Sequence, residues 1–236
     1  MERMWKDRLY QEFARIGKCL SSPKRLELLD LLSQGPKSVD QLAKITGMSV
    51  ANVSQHLQTL HESRLVRSHR QGNFVIYEIA ELSVADFMLS LHRISEKQLV
   101  EVQKLKTEIM QNHASLEPIA LEELLDRMAK GEAVLVDLRP QDEYESGHIP
   151  GAISIPMEDL ENHLASLPAD KEIVAYCRGP YCIMSAQAVE ILKNKGFKAS
   201  RLEEGVIEWK RYAEERVILS DDARIPSKGH IDSPLH

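Results

Sequence analysis

The residues with the clearest capacity for chemistry are Cys177 and Cys182, within the stretch Ile173–Gln187, IVAYCRGPYCIMSAQ. Two of the chain's three cysteines thus bound a segment of six residues, Cys177–Cys182. A short apolar run, Ile173, Val174, Ala175 and Tyr176, leads into Cys177. Arg178, Gly179, Pro180 and Tyr181 make a tight loop, and a helix-like segment follows Cys182. A cysteine between a strand's end and a helix's start faces unpaired backbone N–H groups and the positive end of a helix dipole. Arg178 adds a full positive charge. Such surroundings favour thiolate and bring reactive cysteines to pKa values of about 3.5–7.5. The chemistry on offer is nucleophilic attack by sulfur at Cys177. On the loop alone a buried, inert thiol is equally compatible, since free cysteine is among the most buried residue types.

The elements that must position this loop belong to a chain of 236 residues, enough for one or two domains. Its charged fraction of 28% and apolar fraction of 43% are those of a soluble globular protein. No apolar run approaches the roughly 18 residues of a membrane helix, and no membrane partner is expected. The N-terminal MERMWKDRLYQEF lacks the apolar core of a signal peptide. The expected location is the cytoplasm, where thiols are normally reduced. Three cysteines do not make a disulfide framework there, but two of them five apart suit a reversible redox pair. No cofactor and no metal are expected. Residues 1–114 carry 16 Lys+Arg against 13 Asp+Glu, and residues 115–236 carry 14 against 23, which together make the net −6. The first half is the one that can approach nucleic acid.

In that half, Leu9, Phe13, Ile16 and Leu20 recur at helical spacing within Arg8–Leu20. Ser22 and Pro23 start a second helix running to about Leu32, where Gly35-Pro36 stops the chain. Ser38 caps a short helix, Val39–Ile45, Gly47 turns the chain, and Ser49 caps another helix, Val50–Glu62. This is the outline of a helix-turn-helix. Val53, Leu57 and Leu60 form a buried stripe; Asn52, Ser54, Gln55, His56 and Gln58 face outward. Such amide, imidazole and hydroxyl groups can bond base edges and phosphates. A merely solvated helix face is usually rich in Lys and Glu, and this one is not. Leu65–Ile79 alternates as a hairpin around Gln71-Gly72-Asn73, with Arg67, His69 and Arg70 toward its tip. A basic hairpin in that place can touch phosphate or the minor groove.

Ser49, Ser54-Gln55-His56-Leu57, Leu60 and Leu65-Val66, followed by the Arg67–Ile79 hairpin, resemble the winged helix-turn-helix of ArsR-type repressors over roughly Arg8–His113. The resemblance implies a homodimer on a palindromic double-stranded DNA operator, released by an inducer. Metal-sensing members carry a cysteine pair before the recognition helix, where this chain has Ser38-Val39-Asp40-Gln41. Asp86, His92 and His113 do not fall at a matching ligand spacing, and Cys19 stands alone as a core residue. Leu82–Asn112 reads as one long amphipathic helix suited to a dimer contact, and Asn112–Pro118 as a linker.

In the second half, strands are expected at Val134–Leu138, Ala152–Ile155, Ile173–Tyr176 and Ala199–Leu202, with helices at Leu121–Met128, Asp142–Ser146, Met157–Ala165 and Met184–Lys195. Alternating strands and helices predict a parallel sheet with sites at the strands' carboxyl ends, where Cys177 lies. Asp137-Leu138-Arg139, Glu143-Tyr144, Gly147–Ala152 and Ile155-Pro156, with Leu202–Gly205 and Trp209 later, resemble a rhodanese domain over about Ala120–Tyr212. The resemblance implies Cys177 as sulfur carrier, with Asp137, Arg139 and Gly147–Gly151 structural. Glu204 stands where the closing motif commonly has glycine. Related phosphatases need a longer loop ending in Arg, and the residue six after Cys177 is Ile183.

The expected fold is therefore two domains, a mainly α winged helix-turn-helix and an α/β rhodanese with a parallel sheet: residues 1–114 for DNA binding and dimerisation, 115–216 for rhodanese, 217–236 as a polar tail. The expected function is DNA-binding regulation, with Cys177 sensing reactive sulfur or redox state and the linker and long helix carrying the change. Arg178 would hold an anionic donor, Cys182 would either resolve the Cys177 persulfide or pack, and Gly179, Pro180 and Tyr181 would shape the loop. The small sulfur ligand or low-molecular-weight thiol is the remaining expected partner. A true sulfurtransferase with a regulatory DNA-binding half is the alternative reading, and a binding module with an inert Cys177 a third.

Overall fold

A computed structural model describes residues 2–111 and 118–222. The first unit begins with α1 (Glu2–Leu20) and α2 (Pro23–Ser33), then β1 (Lys37–Ser38), α3 (Val39–Thr46) and α4 (Val50–Glu62). The hairpin β2 (Val66–Gln71) and β3 (Phe74–Ile79) follows, then α5 (Leu82–Gln98) and α6 (Val100–Gln111). The second unit holds β4 (Pro118–Ile119), α7 (Leu121–Ala129), β5 (Ala133–Asp137), α8 (Gln141–Ser146) and β6 (Ile153–Ser154). After these come α9 (Leu160–His163), β7 (Glu172–Tyr176), α10 (Met184–Asn194), β8 (Ala199–Leu202) and α11 (Val206–Asp222).

Local chemistry places the helix-turn-helix. The Ser38 side chain accepts the Gln41 N–H, and the Gln41 side chain accepts the Ser38 N–H, a full capping box at the start of α3. Gly47, at φ +66°, ends α3 in the left-handed conformation that glycine enters without penalty. Ser49 accepts the Asn52 N–H and starts α4. Val53, Leu57 and Leu60 are fully buried with Leu28, Leu29, Leu32 and Leu42. Cys19 lies in the same core and is 4% exposed. The wing sheet has the order β1-β3-β2, with Ser68 opposite Tyr77 and Lys37 opposite Tyr77 from the other side.

The long helix expected over Leu82–Asn112 is two helices. Leu99 sits at φ −111°, ψ 106°, outside the helical region, and the chain restarts at Val100. Asn112 itself lies outside the described residues.

The second unit is a five-stranded parallel sheet, β4-β8-β7-β5-β6. Alternation along β5 and β7 builds a core on each face. Val136, Ile173 and Ala175 face α10 residues Val189 and Leu192. Leu135, Val174 and Tyr176 face Leu124 of α7 and Val206 of α11. Such two-sided burial produces the continuous apolar runs seen in the sequence. Two expectations need correction. Pro118 belongs to an edge strand rather than a linker, its side tied down by β8 pairing. The final helix runs through Asp222, past residue 217, the expected start of the polar tail.

The two units touch directly. The α2–β1 corner seats against α8: Gln41 donates to Asp142, and Lys37 pairs with Glu143. At the corner, Gly35 has φ +150°, and a Cβ there would lie 2.7 Å from Ser146 Oγ and 2.8 Å from Ser146 Cβ. We expect Gly35→Ala to cost about 1–3 kcal/mol through this clash and the backbone strain. A lowered thermal midpoint of the full chain, partly restored by adding Ser146→Gly, which removes the clash but not the strain, checks it.

Candidate functional site

The sulfur loop starts where β7 ends. Tyr176 packs in the core with its hydroxyl donating to Asp137 and accepting the Ile149 N–H at 3.2 Å. Burial first, and the Asp137 charge second, push that phenol far above its ordinary pKa. Asp137 and Arg139 are both fully buried and paired at 2.6 Å; Arg139 also donates to the Gly147 carbonyl at 2.8 Å. These residues hold the ends of β5 and β7 in register beneath the loop, as the opening motif implies. One further bond was not expected: Arg139 Nη1 donates to Gln34 Oε1 of the first unit at 3.3 Å.

Cys177 is 2% exposed and is joined by a disulfide to Cys182, with Cα atoms 6.3 Å apart. The Cys182 N–H donates to the Gly179 carbonyl at 3.1 Å, closing the turn around Pro180 and Tyr181. The closing motif covers the loop. A Cβ at Gly205 would stand 2.9 Å from the Arg178 carbonyl carbon, so only glycine permits this backbone approach. Glu204 Oε2 is buried without a hydrogen-bond partner among the described residues, and burial raises its pKa.

The Arg178 guanidinium is already engaged. Its Nη2 donates to Glu143 Oε1 at 2.8 Å and its Nε to Glu143 Oε2 at 3.0 Å. Lys37 Nζ reaches the same Oε1 at 2.8 Å. Glu143 is fully buried; burial alone would raise its pKa, but the hydrogen bonds and charges of Arg178 and Lys37 hold it below the ordinary carboxylate range. A fork committed to a buried carboxylate is not available to a sulfonate unless that pair opens.

Between the two units lies a cleft of about 390 Å³, lined by Asp30, Leu31 and His92 from the first unit and by Tyr181, Cys182 and Glu208 from the second. The His92 and Tyr181 rings meet edge to face, centroids 5.4 Å apart. Burial raises the Asp30 pKa, opposed by the nearby His92 and Arg178 charges. Burial, then the Glu96 charge, push the Tyr181 phenol up to about 12. Asp30, Gln34 and Lys37 escaped the sequence reading, and His92 entered it only as a candidate metal ligand, because nothing in their local spacing announces a contact with a loop more than 80 positions away.

The second candidate surface is α4 and the wing. Asn52, Ser54, Gln55 and Gln58 are exposed on one side of α4, with His56 half-buried. Ser49 is occupied as a cap. On the hairpin, Arg67 pairs with Glu78 at 3.0 Å, His69 Nδ1 lies 3.8 Å from the same carboxylate, and Arg70 is exposed.

A winged helix-turn-helix joined to a rhodanese-type sulfur loop defines a class of two-domain transcriptional regulators. Residues 22–68 match the bacterial regulatory protein, arsR family, and residues 120–212 the rhodanese-like domain. The chain is 40% identical over 202 residues to the HTH-type transcriptional regulator Rv0324 of Mycobacterium tuberculosis, across 86% of this chain and 88% of that protein. It belongs to this family: an ArsR-type DNA-binding transcriptional regulator with a C-terminal rhodanese domain. Each half also matches alone. The second is 36% identical over 93 residues to a sulfurtransferase of Allochromatium vinosum, across 39% of this chain and 85% of that protein. The first is 33% identical over 85 residues to the HTH-type transcriptional regulator YgaV of Escherichia coli, across 36% of this chain and 86% of that protein.

Removing the shared carboxylate by Glu143→Gln leaves two cations facing one another, and we expect a loss of about 3 kcal/mol near neutral pH. Because the folded-state pKa of Glu143 is depressed, its contribution is present above the unfolded value and fades as pH falls through the folded one. The stability gap between wild type and variant, measured by urea unfolding, should therefore narrow below about pH 4.

Proposed function

We propose that the protein is a homodimeric, cytoplasmic DNA-binding repressor whose rhodanese domain senses reactive sulfur or redox state at Cys177. The observation that carries this reading is the Cys177–Cys182 disulfide, whose Cys182 end lines a cleft with the DNA-binding domain as its opposite wall. Asn52, Ser54, Gln55, His56 and Gln58 supply the base- and phosphate-reading face of α4; Ser49 sets its start, and Arg67, His69 and Arg70 meet phosphate from the wing. The operator is double-stranded DNA with two half-sites.

The chemistry balances without a further oxidant. Reduced Cys177, as thiolate, attacks the outer sulfur of a low-molecular-weight persulfide RSSH; a new S–S bond forms, the old one breaks, and RS⁻ leaves. Cys182 thiolate then attacks the inner sulfur of the Cys177 persulfide, forming Cys177–Cys182 and expelling HS⁻. The donor's sulfane sulfur is reduced to sulfide and the two thiols are oxidised. Gly179, Pro180 and Tyr181 hold the loop in which backbone N–H groups cradle the transferred sulfur. Arg178, held by Glu143, contributes positive charge beside the thiolate more readily than a grip on an anionic donor.

The expected outcome of a gel-shift titration with polysulfide is at least fivefold weaker operator binding for wild type and no change for Cys177→Ser. Equal release of DNA by both proteins would sink the sensing reading. The sequence likeness to a sulfurtransferase favours a second reading, catalytic sulfur transfer to a thiol, and sustained turnover with thiosulfate in place of a single persulfidation would select it.

Homodimerisation is supported by α1. Trp5, Leu9, Phe13 and Ile16 recur on one face and are 52%, 41%, 59% and 36% exposed. An apolar helix face of this kind seeks a partner. Phe13→Glu is expected to shift the mass measured by light scattering from dimer to monomer and to abolish operator binding.

A further inference from the structure

We propose that Lys37 of the DNA-binding domain is a positioning residue for the sulfur site: acting through Glu143 and Arg178, it sets the positive charge around Cys177. This rests on the reading of Cys177 as the reactive sulfur. Three observations lead to it. The Lys37 side chain is 2% exposed, a rare state for lysine, and its Nζ lies 2.8 Å from a carboxylate of the other domain. That carboxylate, Glu143, is fully buried and serves Arg178 at the same time, so two cations share one anion. Arg178 is the residue next to Cys177.

With all three ionised, the cluster carries one surplus positive charge beneath the loop. Lys37 is 3.6 Å from Asp142, but that carboxylate is 44% exposed and its field is screened by solvent. The other charged groups around the loop leave the surplus in place. Asp137 and Arg139 close on each other. Asp30 and His92 from the DNA-binding domain and Glu208 from the closing segment line the cleft, and Glu204 lines a neighbouring pocket with His92, Tyr181 and Glu208. Burial raises the pKa of all three of these carboxylates, so they offset the cation by less than their formal charge. A positive charge held in low-dielectric surroundings lowers a neighbouring thiol's pKa and stabilises the reduced, thiolate form.

The anchoring of Lys37 gives the arrangement its consequence. Its backbone pairs with Tyr77 in the wing sheet, and the next residue, Ser38, caps α3. The cation that tunes the sulfur is thus fastened to the wing and to the first helix of the helix-turn-helix. Binding linkage is reciprocal. If docking of Lys37 favours the thiolate, then loss of the thiolate's charge on disulfide formation weakens the docking of Lys37, and the change enters the DNA-binding domain at α3 and the wing. This route is shorter than one through the linker and α5–α6.

The test uses the full-length reduced protein and follows alkylation of the Cys177 peptide by iodoacetamide as a function of pH. Lys37→Met removes the charge and leaves Glu143 bonded to Arg178, so no carboxylate is orphaned. Lys37→Gln, which keeps a donor for Glu143, is measured beside it, with folding of each checked by thermal melting. In both neutral variants the Cys177 pKa should rise by about half a unit, so alkylation at pH values below that pKa slows about threefold. The Cys177–Cys182 couple should become more reducing, and Lys37→Arg should restore both properties. The difference in operator affinity between reduced and polysulfide-treated protein should shrink in the neutral variants. If wild-type Cys177 is reactive but both folded neutral variants keep the wild-type pH profile, this proposal alone is overturned. A wild-type Cys177 no faster than a free thiol at neutral pH overturns the sulfur reading along with it.

Discussion

A single buried carboxylate ties the molecule together. Glu143 lies in α8 of the rhodanese domain, fully enclosed, and answers cations from both domains. Each of these ions would cost several kcal/mol to desolvate alone. Lys37 is therefore tolerable where it sits only while the rhodanese domain covers it, and Glu143 only while it has partners. The buried Lys37 of the DNA-binding domain finds its close partner only in the rhodanese domain, whereas Glu143 also has Arg178 within its own. That differs from two modules on a tether, in which each half would satisfy its own buried groups. The Gln34–Arg139 bond beside it follows the same logic, since it completes the hydrogen bonding of a fully buried guanidinium.

This constraint explains why the sulfur loop faces inward. An exposed rhodanese loop suits rapid exchange with soluble donors and acceptors. Here Cys177 is buried and the approach to Cys182 runs through a cleft walled by α2 and α5. Asp30, Leu31 and His92 form the wall opposite Tyr181 and Cys182. Cys182, whose role was open on spacing alone, lies within bonding reach of Cys177 because the turn at Gly179–Cys182 folds the chain back on itself.

Much of the fold was legible in the chain. Ser38, Gly47 and Ser49 mark the helix-turn-helix because caps and left-handed turns depend on one or two residues. The apolar runs ending at Leu138 and Tyr176 mark a parallel sheet because both faces are buried. The break at Leu99 was not legible, since leucine is a good helix former and only packing on two axes forces the chain out of the helix there. Pro118–Ile119 was likewise hidden, a two-residue strand that exists only through its pairing with β8. Of the site, the cysteines, the arginine and the motif residues were visible. Their environment was not: Arg178 read as a free cation for an anionic donor, whereas Glu143 holds it.

The sequence by itself determined what each half is, because cap chemistry, hydrophobic period and a cysteine placed after a strand act over a few residues. It placed two cysteines five positions apart, close enough to pair, and left the role of Cys182 open. Tertiary structure alone decided which groups surround that pair. Lys37, Gln34, Asp30 and His92 lie far from Cys177 along the chain and reach its surroundings only when the α2–β1 corner docks on α8. The physical reason is desolvation: a buried charge must find its partner somewhere in space, and local sequence does not say where.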